Sequence, residues 1–229
     1  PLMVRWGQEY ARLQPTIRVD VNAGGAGRGV GEVRAGLVDI GMVSRDIHPG
    51  EQKPGALAVP VAKDAVFPTI NSKNTALAKG LLDKGIKRQL LKEIYLENRA
   101  LSWGEIIGEK LPYAVHVYTR SDVHCGSAET WVLYLGGQSP EELQGTGIFG
   151  DPGVAEAVQK DSLSLGYNNL NYIYDSQSGL PLPDLLPLPI DINENGQIDP
   201  EERISQKSDA LRVVSEGVYS SPPAREIFL

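Results

Sequence analysis

The chain has 229 residues and a formal net charge of −7 at pH 7, with 41 % hydrophobic and 22 % charged residues. That length suffices for one large domain or two lobes with a buried core, and the composition is globular, outside the disordered class. The acidic balance argues against a general nucleic-acid binder, while one cysteine and three histidines exclude a disulfide framework and leave little for a multi-cysteine or histidine-rich metal centre.

No apolar run reaches the roughly 18 residues of a membrane-spanning helix, and the chain starts without a charged-then-apolar leader pattern. Residues 1–13 read as a helix, with Pro1 in the first turn and Val4, Trp6, Tyr10 and Leu13 on one face. Residues 16–21 alternate apolar and polar, as a strand does. A glycine cluster, Gly24-Gly25-Ala26-Gly27-Arg28-Gly29-Val30-Gly31, follows and runs into a short helix ending near Ala35-Gly36. A second short strand covers 39–43 and ends at Ser44-Arg45-Asp46. Strand, glycine loop, helix and strand make a βαβ unit, so an α/β fold is expected.

The apolar segment 60–70 carries Pro68, which demotes it to an edge or crossing strand and marks it as a first link between two lobes. Helices are expected over 76–84, 87–98, 128–135, 153–160 and 208–215, with Ser102 as an N-cap and Gly217 closing the last. Strands are expected over 114–118 and 163–166, with a return link near 171–175. The stretch 180–189, punctuated by Pro181, Pro183, Pro187 and Pro189, reads as extended linker or edge structure.

Three loops could carry chemistry. The glycine cluster sits between strand and helix, where backbone N–H groups and the positive end of the helix suit an oxyanion. Its spacing matches neither a dinucleotide nor a P-loop pattern, and a flexible turn is the other reading. Ser44 and Arg45 close the next strand, at the carboxyl end where open α/β sheets place ligands; the alternative is an arginine paired with Asp46. Arg120 ends a strand, and Gly126 and Ser127 begin a helix, so a guanidinium fork and helix-terminal amides fall in one loop. His124 and Cys125 invite a nucleophile reading, but neighbours in sequence rarely face each other on a regular element.

The ordered set Gly24–Gly29, Asp39-Ile-Gly-Met-Val-Ser-Arg, Ala62-Lys-Asp-Ala-Val, Arg120-Ser-Asp with Cys125-Gly-Ser-Ala-Glu-Thr-Trp, Gly166-Tyr167 and Ser221-Pro-Pro-Ala-Arg-Glu resembles the phosphate-binding proteins of ABC transporters. The resemblance implies a two-lobed type II periplasmic-binding-protein fold with two crossing strands. It assigns 1–67 and 174–229 to the first lobe and 68–173 to the second. It implies non-enzymatic, extracytoplasmic binding of phosphate or a similar oxyanion for delivery to ABC transporter membrane subunits. The implied ligand set is Gly25, Ala26, Gly27, Ser44 and Arg45 from the first lobe, and Arg120, Cys125, Gly126 and Ser127 from the second. Asp64 could accept the proton of a monohydrogen phosphate, or pair as an ordinary strand carboxylate.

Ala26 and the Cys125-Gly126-Ser127 turn depart from the family pattern by removing hydroxyl donors. The family's first strand and its ligand loop are expected to be lacking here, which would leave a bare sheet edge open to homodimer pairing. The other reading is a degenerate scaffold with a calcium loop, acting as an interaction protein without tight anion binding.

The sharpest motif is separate. Residues 191–202 match the twelve-residue calcium loop, with oxygen donors Asp191, Asn193, Asn195, the Gln197 carbonyl, Asp199 and Glu202, Gly196 at position 6 and Ile198 at position 8. A structural Ca²⁺ is expected; the alternative is an acidic turn capping the last helix. Trp103 and Trp131 are expected in the core, and His48 and His116 as loop and strand residues without a ligand role.

Overall fold

The computed structural model describes residues 2–22, 24–52, 54–122 and 125–229, with the backbone but not the side chain of Ala76. The chain order is α1 (Leu2–Leu13), α2 (Ala26–Ala35), β1 (Pro60–Asn71), α3 (Thr75–Lys84), α4 (Arg88–Tyr95), α5 (Trp103–Ile107), β2 (His116–Arg120), α6 (Gly126–Leu135), β3 (Thr146–Ile148), α7 (Gly150–Lys160), β4 (Ser164–Asn169), β5 (Leu185–Pro187), α8 (Lys207–Ser215) and β6 (Ala224–Phe228). Among the described residues they form one mixed sheet of six strands, ordered β3-β2-β4-β1-β5, with β6 on β1.

The long strand β1 organises the molecule. Its first half pairs antiparallel with β6, from Pro60 opposite Phe228 to Ala65 opposite Ala224. Its second half lies between β4 and β5, with Val66 opposite Asn169 and Thr69 opposite both Gly166 and Pro187. The Pro68 segment is therefore a crossing strand with neighbours on both sides. Pro68 lacks an N–H, but its carbonyl still accepts the Leu188 amide at 2.8 Å. Buried Val66, Phe67 and Ile70 join β1 to the main core, which takes in Leu77, Leu91, Tyr95, Trp131, Tyr167, Val213 and Tyr219.

Local signals explain the helices that surround this sheet. Ser102 caps α5 by accepting the Glu105 amide, while Glu105 returns a 2.7 Å contact to the Ser102 amide. Gly36, Gly108 and Gly136 close α2, α5 and α6 in the left-handed region. The α6 segment is buried on nearly every side. Trp131 stacks on Tyr167 at 5.2 Å and meets Tyr95 edge-on at 5.7 Å, which fixes the helix and so its N-terminus. Trp103 and Trp131 are both fully buried, as core residues should be.

The first 59 residues differ from this body. Residues 16–21 form no ladder among the described residues, and the 39–43 segment contributes one bridge, Val43 to Phe228. Period-2 alternation states a capacity to pair, and no strand among the described residues lies beside this segment to pair with it. The expected apolar face of α1 is exposed accordingly at Val4, Trp6, Tyr10 and Leu13; its one buried residue is Gly7, over which Val19 packs. Pro1 lies outside the described residues. A small second cluster of Ala26, Val30 and Val43, with Ile47 and Phe228, ties α2 to β6.

The partition read from sequence places 174–229 with residues 1–67. Within that stretch two segments contact residues of 68–173. β5 pairs with the second half of β1, and the Ile198 amide donates to the Asp83 carbonyl at the end of α3 (2.9 Å). β5 fills the sheet position left open beside Thr69–Asn71, so its pairing outweighs chain continuity with β6.

Candidate anion-binding site

Two helix N-termini abut the segment 43–45. Gly25 caps α2 without a side-chain bond, and Ala26, the first helical residue, packs in the same cluster as Val43. The Ala26 and Gly27 amides have no acceptor among the described residues. On the other side, Gly126 opens α6, and Ser44 presses against it: a Cβ placed at Gly126 would lie 2.2 Å from Ser44 Oγ and 2.6 Å from the Ser44 carbonyl. Only a glycine permits that approach. The Gly126 and Ser127 amides likewise lack an acceptor among the described residues. Each helix end thus offers two N–H groups without an acceptor among the described residues and the positive end of a peptide dipole, with the Ser44 hydroxyl against the α6 end.

Three buried arginines surround this arrangement, and each is held by carboxylates. Arg45 makes a bidentate contact to Glu51 (2.7 Å to each oxygen) and an ion contact from Nε to Glu129 on α6 at 2.8 Å. That last contact is poorly aligned, leaving Nε buried without a proper hydrogen bond. The Glu51 hydrogen bond holds Arg45 firmly protonated and Glu51 below the usual carboxylate range. The expected alternative partner, Asp46, contributes only its main-chain carbonyl, at 2.8 Å.

Arg120 forks onto Asp122 (2.7 and 2.5 Å), meets Asp151 at 2.7 Å and donates to Ser127 Oγ at 2.7 Å. Burial works against its charge, but Asp122 and Asp151 outweigh it and raise its pKa. The same pair lowers the Asp122 pKa: burial pushes it up, and Arg120 more than compensates. Tyr167 fixes the Arg120 main chain, its hydroxyl accepting the Arg120 amide at 3.2 Å and meeting Thr119 Oγ1 at 3.0 Å.

The structure thus brings together Ser44, Arg45, Gly126 and Ser127, with Arg120 behind Ser127 and the 25–27 turn abutting the same segment. Cys125 serves as the α6 N-cap, its sulfur accepting the Ala128 amide at 3.5 Å, a weak contact. His124 lies outside the described residues.

Arg225 on β6 escaped the sequence reading. It is 5 % exposed, donates to Asp64 (2.8 Å) and Asn169 (2.6 Å) and reaches Thr130 on α6 (3.4 Å). Its Nη1 would stand 3.1 Å from a Gly126 Cβ, and its Nε is buried without an acceptor. Asp64 thus pairs with Arg225 as a strand carboxylate. No sequence signal links residues 161 positions apart. His48, read as a plain loop residue, reaches Glu129 at 2.9 Å, and His116 pairs with Asp161 at 2.7 Å.

With its arginines already neutralised, the arrangement presents amide dipoles and hydroxyls to a ligand. That is a donor set for the oxygens of a tetrahedral anion.

Comparison with known proteins shows the family. A family profile described as the PBP superfamily domain matches residues 1–219, and the chain belongs to that superfamily. A phosphate-binding protein PstS of Pseudomonas aeruginosa is 27 % identical over 192 residues, covering 75 % of this chain and 55 % of the relative. One of Methanocaldococcus jannaschii is 25 % identical over 229 residues, covering 84 % and 54 %. The chain thus spans about half the length of the curated relatives it matches.

Among solved structures, a putative phosphate ABC transporter substrate-binding protein of Clostridium perfringens, with bound phosphate, superposes with a TM-score of 0.72 at 19 % identity. That match covers all of this chain and 80 % of the other. An ABC-type phosphate transport receptor of Vibrio cholerae gives 0.68 at 15 % identity, covering 99 % and 81 %. The mixed α/β fold is that of these periplasmic binding proteins. No helix among the described residues is long and apolar enough to cross a membrane.

Proposed function

We propose that the chain binds phosphate or a like oxyanion, without making or breaking a bond, at the N-termini of α2 and α6. Delivery to the membrane subunits of an ABC transporter, outside the cytoplasm, completes this reading. The observation that carries it is the meeting of Ser44 with Gly126–Ser127. The Ser44 hydroxyl lies against the N-terminus of α6, and the Arg225 Nε is buried without a hydrogen-bond partner. The names of the matched relatives favour phosphate within the oxyanion class.

Calorimetric titration with phosphate, sulfate and molybdate tests it. Saturable binding of phosphate, at one site per chain and tighter than sulfate, is the expected result. No heat with any of the three would reject it.

A second reading has its own observation. Apolar Trp6, Tyr10, Leu13, Ile17, Leu37 and Ile40 are all exposed in the first 40 residues, and contiguous exposed apolar surface marks an interaction site. The partner proposed is a second copy, since unpaired strand-like segments pair with their own kind. Sedimentation across a concentration series tests it: a dimer at the high end supports pairing, and a monomer throughout rejects it.

A further inference from the structure

We infer that the loop from Asp191 to Glu202 is a calcium site that staples α3 to the segment leading into β6. The inference is independent of the anion reading.

The twelve residues put oxygen donors at the positions a calcium loop requires. The fold bends them accordingly, with Gly196 at φ +83° and Glu194 at φ +56°. The Asp191 carboxylate accepts the amides of Asn195 (3.1 Å) and Gly196 (2.8 Å), and Glu202 accepts those of Ile192 (2.9 Å) and Asp199 (3.1 Å). The two ends of the loop are thereby drawn together.

A separate observation, the balance of charge, points to a cation. Asp191 is 1 % exposed and Glu202 3 %, and neither pairs with a basic group among the described residues. The three buried arginines, by contrast, all have carboxylate partners. The nearby cations reach the loop only through its main-chain oxygens: Lys87 bonds the Glu194 carbonyl, and Arg212, which also pairs with Glu216, bonds those of Pro200 and Glu201. The loop holds five carboxylates, Asp191, Glu194, Asp199, Glu201 and Glu202, none of which forms an ion pair among the described residues. Burying ionised carboxylates that way is costly, and a bound cation removes the cost.

The donors select the ion. All are oxygens, which excludes zinc-type nitrogen and sulfur coordination. A two-oxygen Glu202 and a flexible loop suit the larger coordination number of calcium over magnesium. Among the described residues no three His, Cys, Asp or Glu side chains are gathered tightly enough to hold a metal alone, so amide and main-chain oxygens must share the load. Asn193 Oδ1 and Asn195 Oδ1 each accept an amide two residues on (3.0 and 2.8 Å) and keep a second lone pair. Asp199 Oδ2 accepts the Asn193 and Asn195 side-chain amides (2.8 and 3.1 Å), so the side chains at positions 3, 5 and 9 of the loop meet.

The loop is anchored at both flanks. Ile198 bonds the Asp83 carbonyl, and the Tyr219 hydroxyl donates to the Glu202 carbonyl at 2.8 Å. An ion here would fasten the end of α3 to the segment before β6.

The test is a melting curve of the full chain, stripped with chelator and then returned to calcium or magnesium chloride. Calcium is expected to raise Tm by about 5–10 °C at a hundredfold excess over its Kd, with magnesium giving less and calorimetry counting one site. Asn193→Ala and Asp199→Ala, on the solvent side of the loop, are expected to fold and to lose at least tenfold in calcium affinity. Glu202→Gln removes a core ligand and serves only if it folds. Superimposable wild-type curves with calcium and chelator would overturn the site. So would a calcium shift retained at full size in both solvent-side variants.

Discussion

Replacing Gly126 by alanine tests the central contact of the candidate site. The new methyl would lie 2.6 Å from the Ser44 carbonyl, and ordinary contact begins at 3.4 Å, so the Ser44 main chain must withdraw by about 0.8 Å (3.4 − 2.6). Ser44 Oγ can rotate away, but the carbonyl cannot, because the bridge from Val43 to Phe228 holds the adjoining residue. Overpacking of this kind costs about 1–3 kcal/mol. Removing a helical glycine returns at most about 1 kcal/mol. With that full return the net loss is about 0–2 kcal/mol, which for a chain of this size lowers Tm by up to about 8 °C. The contrast is Gly27→Ala in the first turn of α2, where no atom lies within 4 Å of the added methyl; its Tm should hold or rise slightly. Differential scanning calorimetry of the two variants beside wild type is the assay. A Gly126→Ala protein that melts above wild type, or equal losses in both variants, would refute the close approach of Ser44 to α6.

Further outcomes follow from the buried charges. Arg225→Met strands Asp64 and Asn169, and losing one partner of a buried pair costs about 3–5 kcal/mol; adding Asp64→Asn should recover part of the lost urea midpoint, and no recovery would deny the pairing. Glu51 and Asp122 have native pKa values lowered by Arg45 and Arg120. Their stabilisation is therefore present above the unfolded carboxylate range, near pH 4, and is lost as pH falls through the lowered native values. Glu51→Gln should flatten the fall in urea midpoint between pH 6 and 3, and an unchanged acid limb would count against the Arg45 contact. Tyr167→Phe leaves the Arg120 amide and Thr119 without their hydroxyl partner and should cost about 1–3 kcal/mol in a chemical melt; a neutral variant would mean that the hydroxyl does not fix Arg120.

The elements most legible in the sequence were those whose signals are local. The Ser102 N-cap with Glu105, the periodic segments of α3, α4 and α8, and the long apolar β1 all declare themselves within a dozen residues. Elements that depend on distant partners did not. Residues 16–21 alternate as a strand should, yet they form no ladder among the described residues. β6 follows Ser221-Pro222-Pro223 and is only five residues long, so nothing short of its register against Pro60–Ala65 defines it. The site divides in the same way. Ser44, Arg45, Arg120 and Ser127 stand at element ends that the sequence marks, whereas Arg225, Glu129 and Asp151 act across separations that no spacing rule covers.

The most direct test of the account is equilibrium dialysis of labelled phosphate against the wild-type chain and a Ser44→Ala, Ser127→Ala double variant. Wild type should bind one phosphate saturably, and the double variant, folded to the same near-ultraviolet spectrum, should bind at least tenfold more weakly. Wild-type protein that retains no phosphate, or a double variant that retains it undiminished, would contradict an anion site at the N-termini of α2 and α6.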